Sequence, residues 1–329
     1  MGANENKIRL AARPRMGVNG DPVSTATIFS PAKINLFLAI TGRQADGFHG
    51  LVSVVAPVAF GDTLHVRHRS QEPGAGCREA EFTLGCDDPD LPTDESNLVL
   101  RAARAFAKAT GWRGEVNFRL EKRIPVSAGL GGGSSNAVAA LRALNGIAGK
   151  PLDAARLAEL AAELGSDCPL FLHDGPVVMR GRGERVEPLP AQAAARLRGR
   201  RVLIFKPGFG ISTAWAYAKM AAEVPRHYLP AADAEARLAM WIEADELTEP
   251  PPAEELLFNG MESVVYAKFL ALPTLLDVLH EEFGLAARMS GSGSACFTLL
   301  QPDSPVAAIT ARIRELWGSG TFVTDTQIS

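Results

Sequence analysis

The sequence predicts an α+β chain of two domains, and three observations carry that reading. At 329 residues the chain is long for one core, since a domain averages about 150 residues. Strand-type alternation and helix-type spacing succeed one another from about Thr25 onward. A Pro-, Ala- and Arg-rich stretch, 187–201, interrupts the pattern and marks a boundary. These give domains at 25–195 and 196–329. Residues 1–24 form an extension, polar and basic with Lys7, Arg9, Arg13 and Arg15. It reads as a frayed, disordered leader, and its arginines also suit an organelle transit peptide.

The elements follow in order. Ala32–Leu38, Leu51–Phe60 and Thr63–His68 are rich in strand formers, with a turn segment at Gly42–Gly47. Gly74–Gly76 and Asp87–Asp94 are loop-like. Asn97–Thr110 reads as a helix with Leu98, Ala102, Ala105, Phe106 and Ala109 near one face. Glu115–Leu120 alternates strictly, as a half-buried strand does. Ala137, Ala140, Leu141 and Leu144 recur at i, i+3, i+4, i+7 on a second helix. Leu157, Leu160, Ala161 and Leu164 do so on a third, closed by Gly165. Val202–Phe205 is a buried strand ended by Pro207-Gly208, and Glu249–Pro252 is a loop. A helix (272–283), strand (295–300), helix (305–317) and strand (321–324) then suggest a small α+β sandwich.

Composition excludes several classes. Hydrophobic residues make up 47% and charged residues 22%, too apolar for a disordered chain. With 34 basic and 37 acidic side chains the net charge is −3, which argues against a nucleic-acid or membrane-surface partner. No apolar run approaches the roughly 18 residues of a membrane span. Cys77, Cys86, Cys168 and Cys296 form no C-x-x-C pair, so a reducing, cytoplasmic setting is expected. His65 and His68, three apart on a strand, face opposite sides and make no metal pair.

The sharpest motif is Gly129-Leu130-Gly131-Gly132-Gly133-Ser134-Ser135-Asn136, between a strand and a helix. Bare glycines let backbone N–H groups converge on an anion, and a helix N-terminus adds its dipole. Ser134 and Ser135 offer hydroxyls to phosphate or a metal. No Gly-Lys-Ser/Thr closes the run, and Ser134 falls on the last glycine position of G-x-G-x-x-G, so it is neither of those loops. A flexible turn with a serine cap is the plainer alternative, but three successive glycines would then cost entropy for nothing. Ser290-Gly291-Ser292-Gly293-Ser294 is a second cluster, equally readable as a tight turn or a ligand loop.

Two charged residues stand out. Lys33 and Asn35 share one face of Pro31–Leu36, with Ile34 and Leu36 on the other. A strand lysine is usually solvated. Asp167, in Gly165-Ser166-Asp167-Cys168-Pro169, precedes a proline at a helix start, where an aspartate is usually an N-cap.

Taken together, Pro31–Asn35, Gly129–Ser135 and Ser290–Ser294 resemble, in order, the three motifs of the GHMP kinases. Ala45-Asp46-Gly47-Phe48-His49, Pro125–Asn136 and Gly165–Pro169 are most similar to one branch of that superfamily. Its members transfer a phosphoryl group from ATP to the 2-hydroxyl of a cytidine-diphosphate-linked methylerythritol, in the non-mevalonate isoprenoid route. The resemblance covers about Thr25 to Val323. It implies an N-terminal ribosomal-protein-S5-domain-2-like domain, a C-terminal ferredoxin-like sandwich and a cleft between them. It implies ATP and Mg²⁺, with Lys33 and Asp167 catalytic. Asn97, Pro125, Gly129, Leu130, Gly131, Gly132, Gly133, Ser134 and Ser135 would lie at ATP, with Ser135 also offered to the metal. Asn35, Phe48, His49, Asp167, Tyr217, Gly291 and Ser292 would lie at the substrate. Phe48 and Tyr217 would sandwich the cytosine, Trp215 rivalling Tyr217, and His49 would bond the base edge. Asn97 could equally cap its helix. The chemistry suits these types: a carboxylate takes the alcohol proton, and a lysine beside it favours the charged carboxylate and the developing alkoxide. Either a monomer or a homodimer fits. Alternatives are another GHMP small-molecule kinase, of homoserine or mevalonate type, and an inactive nucleotide-binding module. Gly50–Ser53 is looser than the family pattern, and the extension and 223–255 look longer than its core.

Overall fold

The computed structural model describes residues 9–10, 15–16, 22–43, 47–69, 79–223, 227–244 and 251–329. Most of the 1–24 extension, residues 45 and 46 of the 45–49 motif, the loop at Gly74–Gly76, Cys77, and part of the 223–255 stretch lie outside them. Contacts group the chain into two units that are not continuous in sequence. One holds 1–32, 61–124 and 131–174; the other holds 33–60, 125–130 and 175–329. This grouping differs from the ranges 25–195 and 196–329, because two long strands each supply residues to both units.

The first elements are strands β1 (Arg9–Leu10), β2 (Arg15–Met16), β3 (Pro22–Arg43) and β4 (His49–Arg69). Both β3 and β4 run well past the segments their composition marks. The gap left at Gly61-Asp62 is no break. A Cβ on Gly61 would stand 2.3 Å from the Ser30 carbonyl oxygen, so glycine is what lets β3 and β4 approach there.

In the first unit, β5 (Glu81–Cys86) runs parallel to β6 (Glu115–Glu121), and β6 pairs antiparallel with Thr63–Arg69 of β4. Alternation buries Val116, Phe118 and Leu120 on one face, as the sequence predicts. Helix α1 (Leu98–Thr110) is capped by Asn97 and closed by left-handed Gly111. It packs on α2 (Gly132–Ile147) and α3 (Ala154–Leu164). Helix α2 is buried nearly all round, and its many alanines let its neighbours come close. Gly165 follows α3, its N–H bonding the Ala161 carbonyl.

In the second unit, a hairpin of β7 (Val177–Gly181) and β8 (Arg185–Pro188) pairs with Leu51–Val55 of β4. The stretch 187–201 is not all linker: it carries α4 (Ala191–Leu197). Strand β9 (Arg201–Lys206) leads to α5 (Thr213–Ala222), α6 (Ala231–Ile242), β10 (Phe258–Asn259) and α7 (Glu262–Tyr266). The predicted order then follows: α8 (Ala271–Phe283), β11 (Arg288–Met289), β12 (Cys296–Leu299), α9 (Val306–Trp317) and β13 (Phe322–Gln327). These strands form an antiparallel sheet in the order β11-β12-β9-β13. Leu203 and Phe205 share a core with Leu272, Leu275 and Leu279 of α8 and Ile309 and Ile313 of α9.

Candidate active site

Helix α2 begins inside the glycine run. Gly129 and Gly131 hold φ of 76° and 72°, a left-handed backbone that favours glycine. Gly131 occupies the N-cap position and has no side chain to spend on the first N–H groups. Neither Ser134 nor Ser135 caps the helix. Ser135 is buried, with its hydroxyl 2.8 Å from that of Ser30. A cation reaching Ser135 would have to replace that contact. Ser134 is half-buried and hydrogen-bonds the Cys168 sulfur. Leu130 is buried, and its contribution is a carbonyl that accepts the Lys33 N–H at 2.9 Å. Pro125 is half-buried between buried Ile124 and exposed Val126.

One carboxylate anchors both flanks of this run. Asp62 is fully buried and accepts the N–H groups of Arg123 and Ile124, both at 2.7 Å. It also pairs with the Lys122 ammonium at 2.9 Å and accepts the Asn136 amide at 3.0 Å. Lys122 donates to the Ile124 carbonyl as well, and Ser30 donates to Asn136 Oδ1 at 2.6 Å. Sequence reasoning missed this network, in which the partners of Asp62 lie 60–74 residues from it.

The second unit gathers pieces of all three motifs. Lys33 is only 4% exposed, so it is not the solvated strand lysine. Its ammonium donates to Asn35 Oδ1 at 2.6 Å, which confirms their shared face. Asn35 in turn donates to Ser53 Oγ at 3.0 Å. Ser290 donates to the Gly129 carbonyl at 3.1 Å, and the Ala295 N–H bonds the Ala128 carbonyl at 3.0 Å. Gly291, with φ of 57°, faces the lysine: a methyl there would lie 3.3 Å from Lys33 Nζ. Ser292 exchanges a hydrogen bond with Thr213 at 2.7 Å. The second cluster is therefore a loop packed on the lysine.

The aromatic residues lie in the same unit. The His49 ring stands 4.9 Å from that of Tyr217, and its Nε2 is 3.0 Å from the Tyr228 hydroxyl. Trp215 points elsewhere, edge-on to Phe269 and beneath the Lys268 ammonium. Phe48 is 59% exposed, with the Arg182 guanidinium 5.0 Å from its ring centre. Burial, helped by the Arg43 charge, lowers the His49 pKa below the ordinary 6.5, so the imidazole is neutral at pH 7.

Asn97 proves to be the helix cap: its Oδ1 accepts the Val99 N–H at 2.9 Å and its Nδ2 donates to the Pro92 carbonyl at 2.7 Å. Asp167, half-buried, is not a cap, because Cys168 takes that position before the turn Pro169–Leu172. Burial, opposed by the Ser134 hydrogen bond, raises the Cys168 pKa to about 11, so the thiol stays protonated. Among the described residues no group of three His, Cys, Asp or Glu could hold a metal ion.

A glycine-bounded helix start, and a buried lysine under a second glycine loop, are the features that the sequence motifs share with the GHMP kinases. The family model for the GHMP kinases N terminal domain matches residues 97–175, and that for the GHMP kinases C terminal matches 248–319. The 4-diphosphocytidyl-2-C-methyl-D-erythritol kinase of Synechococcus elongatus is 37% identical over 300 residues, covering 89% of this chain and 92% of its own. That of Protochlamydia amoebophila is 35% identical over 280 residues, covering 85% and 86%. A crystal structure of a 4-(cytidine 5'-diphospho)-2C-methyl-D-erythritol kinase superposes with a TM-score of 0.68 at 32% identity, over 92% of this chain and all of that one. The homoserine kinase of Cytophaga hutchinsonii has a TM-score of 0.69 at 18% identity, over 92% and 95%, a likeness of fold alone. The chain belongs to the 4-diphosphocytidyl-2-C-methyl-D-erythritol kinase family.

Proposed function

We propose that this chain transfers the γ-phosphoryl group of ATP to the 2-hydroxyl of 4-diphosphocytidyl-2-C-methyl-D-erythritol. The observation that carries the choice of substrate is the exposed ring of Phe48, the residue before His49, together with the His49–Tyr217 ring pair. An exposed aromatic face beside a neutral imidazole suits a nucleobase, and neither homoserine nor mevalonate has a base to stack. The backbone around Gly131–Ser135 cradles the phosphates. Mg²⁺ would supply charge neutralisation on the ATP phosphates, and Ser135, whose hydroxyl meets that of Ser30, is the residue of this chain that would offer it an oxygen. The alcohol oxygen attacks the γ-phosphorus, the bond to the bridging oxygen of ADP breaks, and the Asp167 carboxylate takes the alcohol proton. Lys33 offsets the charge that develops on the alcohol oxygen. No described helix is long and apolar enough to cross a membrane.

The test is ADP release from MgATP with the cytidine diphosphate polyol, against homoserine and mevalonate. Turnover with the polyol is expected. Turnover confined to homoserine or mevalonate overturns the substrate assignment, and none with any acceptor favours a binding module.

The state of His49 makes a pH prediction. A lowered pKa means that the folded chain takes up this proton less readily than the unfolded one. The neutral ring therefore persists at and above the ordinary histidine value of about 6.5 and is lost only as pH falls further. The KM for the polyol should be level between about pH 6.5 and 8 and rise at lower pH. His49→Gln should raise KM and flatten that dependence. Identical pH profiles for the two proteins would remove His49 from the contact.

A further inference from the structure

We propose that Asn259 is a positioning residue that holds the Ser290–Ser294 loop against Lys33, an inference that rests on the site reading above. Asn259 is 4% exposed and lies where β10 joins β3, Phe258 and Asn259 pairing in parallel with Phe37 and Leu38. Its side-chain amide makes two donations, to the Met289 carbonyl at 2.7 Å and the Gly291 carbonyl at 2.8 Å. Its oxygen accepts the Met261 N–H at 2.9 Å. Both donors and the acceptor are therefore used. Three residues on, Glu262 accepts the Met289 N–H at 2.8 Å, so the short run from Asn259 to Glu262 grips both polar groups of Met289.

The consequence lies on the opposite side of the loop. Gly291, whose carbonyl Asn259 holds, is the residue whose added methyl would meet Lys33 Nζ at 3.3 Å and Asn35 Oδ1 at 3.4 Å. A loop with left-handed residues at Gly291 and Gly293 has little intrinsic preference for one shape. Asn259 supplies that preference. It touches neither Lys33 nor the substrate's expected position, but acts by fixing the backbone that does. The loop also carries Ser290, which donates to the Gly129 carbonyl, so the first half of the glycine run feels this grip while the residues from Gly131 onward belong to the other contact unit.

Asn259→Asp keeps the shape and the acceptor for Met261 but turns a double donor toward two carbonyls into an acceptor. The KM for the cytidine diphosphate polyol should rise about tenfold or more, the cost of two lost buried hydrogen bonds. The Kd for MgATP should rise less than the polyol KM, and hydrogen exchange should quicken in 289–294 while α8 is unchanged. A merely structural lesion would lower the active fraction, and so kcat, with both KM values preserved. Asn259→Ser, which retains one donor, should show the same signature to a lesser degree and serves if the aspartate variant does not fold. A polyol KM that rises less than about threefold, or unaltered exchange in 289–294, overturns the proposal. Absence of polyol turnover in the unmodified protein would instead overturn the function proposed above, and the exchange measurement would still decide the role of Asn259.

Discussion

Asp167→Asn is expected to lower kcat by about 10²- to 10⁴-fold, the usual contribution of a general base, while MgATP still binds. The substitution keeps the side chain's size and removes its capacity to accept a proton. Cys168, the adjacent residue, has its pKa raised to about 11 and is a protonated thiol at neutral pH. The anchors of the α2 start are untouched, since Asp62, Lys122 and Asn136 bond one another and not Asp167. The dissociation constant for MgATP should therefore change by less than about threefold. Turnover that remains would come from positioning and charge neutralisation, which dominate phosphoryl transfer. Steady-state kinetics with saturating polyol, together with a direct ATP titration, give both numbers. A kcat within about tenfold of the unmodified protein would show that Asp167 is not the base.

What could be read from the sequence is what depends on neighbours along the chain. Strict alternation located β6, and the three-four spacing located α1, α2 and α3, because periodicity is a local property. The glycine run announced its own backbone, and the structure gives Gly129 and Gly131 the left-handed angles that only glycine holds cheaply. What could not be read depends on partners distant in sequence. Trp215 and Tyr217 are two apart on α5 and so point to different sides, and it is Tyr217 that meets the ring of His49, far back in the chain. Asn97 offered two readings, and the cap became visible only when its amide was seen to meet the Val99 N–H and the Pro92 carbonyl. Lys33 carried the reputation of strand lysines in general and proved buried, because Gly291, Asn35 and the Leu130 carbonyl close around it. Asp62 and Asn259 gave no signal, since each looks like an ordinary polar residue beside a glycine and acquires a role only when the chain folds.

Asp62→Ala should destabilise the fold by about 3–5 kcal/mol, the largest single loss expected away from the chemistry. Asp62 is fully buried and the Lys122 side chain is 7% exposed. Deleting the carboxylate leaves an ammonium in a poorly solvated place, together with the N–H groups of Arg123 and Ile124 and the amide of Asn136, all of which lose their acceptor. An orphaned buried charge costs more than the pair gains, so the loss exceeds what a surface ion pair would contribute. Against a typical total stability of about 5–15 kcal/mol, that is a large share. The melting temperature should fall by roughly 10 °C. Substituting both partners distinguishes charge from packing. Asp62→Leu with Lys122→Met removes donor and acceptor charge together and should recover much of the loss, as apolar replacements of buried pairs often do. It would not restore the bonds from 123, 124 and 136, which tie the end of β6 to α2 across the glycine run. The double variant should therefore be stable yet bind MgATP more weakly, because the two flanks of the phosphate cradle are no longer fixed to one point. A single Asp62→Ala variant that melts within about 2 °C of the unmodified protein would show that water or a rearranged Lys122 satisfies the site, and that the carboxylate is not its anchor.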